Sequence, residues 1–176
     1  MNSSISNKIF DLKIGLIFAL LTIFYGFLLG GVFGAFEAQI KGHLNQSANE
    51  VYLEVYKSNT ENLVKVVSKS WTYIKRSHMH ANGIGTTALT LILLLSFLNT
   101  KTLLRKTTAI FLGVGGFGYS LFWLLAGLKA PSLGSTGLAK ETLSWLAVPS
   151  SGMCVLGVFG VILLVVDEML LSQKEK

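Results

Sequence analysis

The chain has 176 residues, 51% of them hydrophobic and only 14% charged, where a soluble domain carries roughly a quarter charged residues. That balance excludes an ordinary soluble domain. The single Cys154, set in an apolar run, excludes a disulfide framework or a cysteine-based zinc site.

Residues 1–13 are polar and carry Lys8 and Lys13. Ile14 to Phe36 is then free of charge and long enough to cross a bilayer. A signal peptide is the competing reading, but the run is too long and no small-x-small cleavage site follows it. Gly26, Gly30 and Gly34 recur every fourth residue on one face of this span, the small-xxx-small pattern that lets a second helix approach closely.

Residues 37–82 are too polar for the bilayer core yet are not loop-like. They contain no proline, and their only glycine is Gly42. Leu44, Ala48, Val51, Tyr52 and Val55 recur at helical spacing. Ser58-Asn59-Thr60-Glu61 reads as a turn and capping box, with Ser58 as N-cap. Leu63, Val67, Trp71, Ile74 and His78 then share a face. The pattern predicts a helical hairpin that extends the first two membrane helices beyond the lipid; an amphipathic pair lying on the membrane surface is the alternative.

Residues 83–98 form a short second span, 109–128 a third, and 145–166 a fourth. The third holds Gly113, Gly115, Gly116 and Gly118. Between the third and fourth, residues 129–144 read as a Gly/Ser-rich loop containing Pro131. Pro149 falls in the first turn of the last span, where proline is tolerated, and Trp145 fits an interfacial anchor. The expected fold is all-α: an integral membrane four-helix bundle forming one domain, its first two helices drawn out into the extramembrane hairpin.

The net charge of +6 would suggest a nucleic-acid partner in a soluble protein. Here the bases flank apolar runs, where they set topology and meet lipid headgroups, and no nucleic-acid-binding motif occurs. Lys8, Lys13, Lys101, Arg105, Lys106, Lys174 and Lys176 fall on one side, against Lys129 and Lys140 opposite. The expectation is a multi-pass protein of a cell inner membrane, both termini cytoplasmic, with residues 77–85 on the periplasmic side.

That stretch, Ser77-His78-Met79-His80-Ala81-Asn82-Gly83-Ile84-Gly85, holds two of the three histidines. A helix turns about 100° per residue, so positions 78 and 80 point about 200° apart. His78, in line with Trp71 and Ile74, is expected to face inward and His80 elsewhere. Three uses compete. One imidazole is an axial ligand to a haem, with Gly83 and Gly85 leaving room for the macrocycle. Or His78 and His80, with Met79 or His43, bind copper on a broken helix. Or the histidines are interfacial polar residues. His43 is a further ligand only if the hairpin folds back; in a polar segment, a solvated His43 is the expectation. Paired carboxylates, intramembrane charges and a phosphate loop are all missing from the spans.

The spacing His-x-His-x-Asn-x-x-Gly, at His78, His80, Asn82 and Gly85, resembles the opening of a membrane helix in small four-helix proteins similar to subunit I of the haem-copper oxidases. The match covers about eight residues, and Thr86 stands where that pattern often has tryptophan. The resemblance implies haem or copper at His78 and His80, with Asn82 beside them. No further embedded histidines exist to complete an oxidase core, so catalysis by the chain alone is not expected. The leading expectation is an accessory subunit of a larger membrane oxidoreductase or respiratory complex, in contact with lipid and other membrane subunits. A stand-alone haem- or copper-binding protein in electron transfer or metal delivery is the second, and a purely structural helix-packing protein the third.

Overall fold

The computed structural model describes residues 5–171; the tail lysines Lys174 and Lys176 lie outside them. In chain order the helices are α1 (Ile5–Asp11), α2 (Lys13–Asn49), α3 (Thr60–Phe97), α4 (Thr102–Leu133), α5 (Thr136–Glu141) and α6 (Ser144–Val166). A π-helical turn, Asp167–Leu171, follows. There is no strand among the described residues. Four segments are long and apolar enough to cross a membrane: α2, α3, α4 and Ser144–Met169. The all-α bundle of a multi-pass membrane protein is therefore what the sequence folds into.

Three of these helices overshoot a bilayer. The 38 residues of α3 make a rod about 57 Å long, against a hydrocarbon core of about 30 Å. The outer parts of α2 and α3 do form a pair, but they are not alone. Ala130 of α4 and Ala139 of α5 are buried in the same cluster as Leu44, Ala48, Leu63, Val67 and Ile74. The expected two-helix hairpin is thus a three-helix lobe, roofed by α5.

The lobe depends on α4 continuing past residue 128, where a loop was expected. Pro131 sits inside the last turn, and its carbonyl accepts a 2.7 Å hydrogen bond from the Tyr56 hydroxyl. The helix stops at Gly134, whose φ of +62° is left-handed backbone that glycine adopts at little cost. Ser135 then accepts from the amides of Gly137 and Leu138 to cap α5. Only two short breaks remain of the expected 129–144 loop. Burial raises the Tyr56 phenol above its usual pKa.

The cap of α3 is displaced by one residue from Ser58. Lys57 and Ser58 both have positive φ, 50° and 63°, and an N-cap needs extended backbone. Asn59 has it, and its side chain accepts from the Asn62 amide at 2.9 Å. Beyond that point α3 runs unbroken to Phe97, so no helix break accompanies the histidines.

Inside the membrane half, α4 is the central strut. It packs against α2, α3 and α6, while α6 touches little besides α4. Its glycines take different partners: Gly113 meets Gly15 of α2, Gly116 meets Ile84 of α3, and Gly115 and Gly118 meet α6 around Ser150. Around them Leu12, Ala19, Ile92, Leu95, Ala109, Leu112, Val161 and Leu164 are buried together.

At the far end Arg105, read from the sequence as an interface base, is buried. Its guanidinium donates to the Leu98 carbonyl at 3.0 Å and to Thr102 Oγ1 at 3.3 Å. Lys8 Nζ also donates to the Leu98 carbonyl. Glu168 accepts from the backbone and side-chain nitrogens of Asn99. These bonds satisfy the frayed end of α3 and tie it to α1 and to the end of α6.

Candidate functional site

Because α3 is a continuous helix, His78 and His80 leave it on opposite sides. His78 turns to α2. Its Nδ1 lies 2.7 Å from the Gly26 carbonyl oxygen, and the Phe33 ring meets the imidazole edge-on at 5.8 Å. Asn82, one turn on, sits 3.2 Å from both the His78 carbonyl and Nδ1. A carbonyl only accepts, so Nδ1 carries the proton and donates to Gly26. In the neutral ring Nε2 then keeps its lone pair, and it has no hydrogen-bond partner among the described residues.

The expected packing face of Gly26, Gly30 and Gly34 divides. A Cβ on Gly26 would stand 2.7 Å from Asn82 Oδ1, and one on Gly30 would stand 2.9 Å from His78 Cε1. Those two glycines are the floor on which the polar pair rests. Gly34 has nothing within 4 Å; it lies just before Phe36, whose φ of −131° and ψ of 22° interrupt the helical backbone of α2.

His80 turns to α4, against Tyr119 at 5.3 Å and Trp123 at 5.9 Å between ring centroids. The Arg76 guanidinium lies 4.4 Å from the centre of the Trp123 ring, and Tyr73 meets the same indole at 4.9 Å. This is a cation–aromatic cluster, of the kind that fixes a cationic side chain at a helix seam.

Between the two histidines runs a relay that the sequence reading missed. Ser77 Oγ donates to the Ser120 carbonyl at 2.6 Å. That commits its proton, so Tyr25 donates to Ser77 across 2.8 Å. The relay stitches α2, α3 and α4 at the level of the histidines. Its only sequence signal is a small hydroxyl residue, Ser77, beside the histidines; Ser120 takes part through its backbone carbonyl, while its own hydroxyl donates to the Gly116 carbonyl.

For metal or haem the fit is partial. One imidazole is oriented by a carbonyl, as ligating histidines are. The expected copper set of His78, His80, Met79 and His43 is not brought together. His80 faces the other helix, while Met79 and His43 are exposed. Among the described residues no three His, Cys, Asp or Glu side chains group as a metal site. The room for a macrocycle expected at Gly85 is filled by α2: a Cβ there would stand 2.9 Å from Ile23 Cγ1. Gly83 has open space around it, but on a different side from the His78 ring. No family model matches the chain, and neither a curated protein nor a solved structure matches it.

Proposed function

We propose that the chain is an accessory subunit of a larger membrane oxidoreductase and that His78 is the residue it offers to a metal or haem. The supporting observation is the imidazole itself: Nδ1–H held by the Gly26 carbonyl, Nε2 without a hydrogen-bond partner among the described residues. That arrangement fixes ring and tautomer and leaves the lone pair of the second nitrogen available to a metal. A copper ion or haem bound there would supply one-electron chemistry. Among the described residues no three His, Cys, Asp or Glu side chains group around one point, so we assign the remaining ligands to a neighbouring subunit and read a subunit rather than a self-sufficient enzyme.

A second reading has an observation of its own. Gly26 and Gly30 grip His78 and Asn82 tightly, which makes the ring a pin between α2 and α3 in a purely structural protein. Metal analysis and an optical spectrum of the native assembly separate the two. His78→Ala is expected to remove bound copper or the haem Soret band, with His80→Ala retaining it and His43→Ala silent. Equal content in wild type and His78→Ala, or none in either, leaves the structural reading.

In the proposed orientation both termini and the 98–101 link are cytoplasmic, and the lobe with the histidines is periplasmic. In a Cys154→Ser background, a cysteine at Lys140 is expected to label in intact cells and one at Thr102 only after permeabilisation. The reverse labelling would invert the topology.

A further inference from the structure

The junction between α1 and α2 forms a half-open cavity of about 180 Å³ against α4, lined by Phe10, Asp11, Leu12, Lys13, Lys106 and Ile110 with the first turn of α2. We propose that it holds the phosphate headgroup of one anionic phospholipid. Three features on this chain point to that occupant.

The first is depth. Lys13 opens α2 and is followed by the charge-free run 14–36, so the cavity lies where hydrocarbon gives way to headgroups. The second is charge. Two lysines, Lys13 and Lys106, line the cavity with one carboxylate, Asp11, and Lys106 Nζ pairs with Asp11 Oδ1 at 2.9 Å. That leaves an excess of one positive charge, on side chains still 42% and 34% exposed for the paired Lys106 and Asp11. Lys13 Nζ lies 4.2 Å from the centre of the Phe10 ring, and both residues line the cavity. The third is shape. The rest of the wall is apolar, and Ile14 and Ile17 continue it down the outer face of α2, both about half exposed. A phosphate bridging Lys13 and Lys106 would lay an acyl chain along those isoleucines. An acidic protein segment would find the lysines but no use for the apolar track below them.

The experiment uses the full chain, stripped of lipid in detergent and titrated with phosphatidylglycerol or phosphatidylcholine of equal chain length, with bound lipid counted by native mass spectrometry. Phosphatidylglycerol is expected to bind at least tenfold more tightly. Lys13→Gln and Lys106→Gln should each cost about fivefold, the worth of one lysine near an anionic lipid, and leave phosphatidylcholine binding unchanged. Asp11→Asn removes the competing carboxylate and should tighten phosphatidylglycerol binding by a similar factor, a gain that a misfolded variant cannot mimic. Excess inorganic phosphate should not compete. The proposal is overturned if the double lysine variant keeps the preference, if Asp11→Asn weakens it, or if inorganic phosphate displaces the lipid, which would mark a site for the free anion.

Discussion

Gly113→Leu is expected to be the most damaging single substitution in the chain. A Cβ on Gly113 would stand 2.3 Å from the Gly15 carbonyl oxygen, and one on Gly15 would stand 2.2 Å from the Ala109 carbonyl oxygen. Here backbone meets backbone, so no side chain can swing aside; α2 and α4 must separate. Separation opens the packing of Ala19, Ala109 and Leu112, each nearly or fully buried. In a bilayer that packing is the main force holding helices together, because lipid tails compete equally for apolar surface. Overpacking a well-filled core costs about 1–3 kcal/mol, and an obstacle made of backbone puts this site at the upper end. Gly31→Leu is the control, since nothing lies within 4 Å of Gly31. Unfolding in a mixed-micelle SDS titration should shift strongly for Gly113→Leu and hardly at all for Gly31→Leu. Equal midpoints would mean that α2 and α4 do not meet along these glycines.

The same glycines mark the boundary of what the sequence makes legible. Charge-free runs announce the membrane helices, and 100° per residue is enough to send His78 and His80 to opposite sides of α3. Which helix each glycine touches is not encoded locally. Gly26, Gly30 and Gly34 have identical spacing, yet only the first two meet α3; the third lies beside the interruption at Phe36, which no residue type announces. Pro131 reads as a helix end, but Tyr56, 75 positions away, holds its carbonyl inside α4. Ser58 has the right chemistry for a cap and the wrong φ. Arg105 counts as a topology signal until tertiary structure buries it over the end of α3. At Pro131 a contact distant in sequence overrides a local rule. The Tyr25–Ser77–Ser120 relay is invisible for the same reason, since a lone serine in an apolar run carries no sign of its partner.

The second large effect is expected at Gly26 and Gly30, and it tests whether that seam belongs to this chain or to another. From spacing alone the face is a docking stripe for a partner helix. The seam instead packs α2 on α3 within one molecule, with Asn82 and His78 as the occupying side chains. Gly26→Leu should therefore destabilise the isolated chain by about 2 kcal/mol, from overpacking together with a lost bond between His78 and the Gly26 carbonyl. Gly34→Leu should be silent. A double-mutant cycle isolates the contact. Gly30→Ala places its new methyl against the His78 ring and should cost on the order of 1 kcal/mol; in a His78→Ala background the ring is gone and the same change should cost almost nothing. The coupling is read from SDS or thermal unfolding of the four proteins. Additive costs would show that His78 does not rest on Gly30. Loss of a co-purifying subunit with no loss of fold stability would instead return the glycine face to a partner helix.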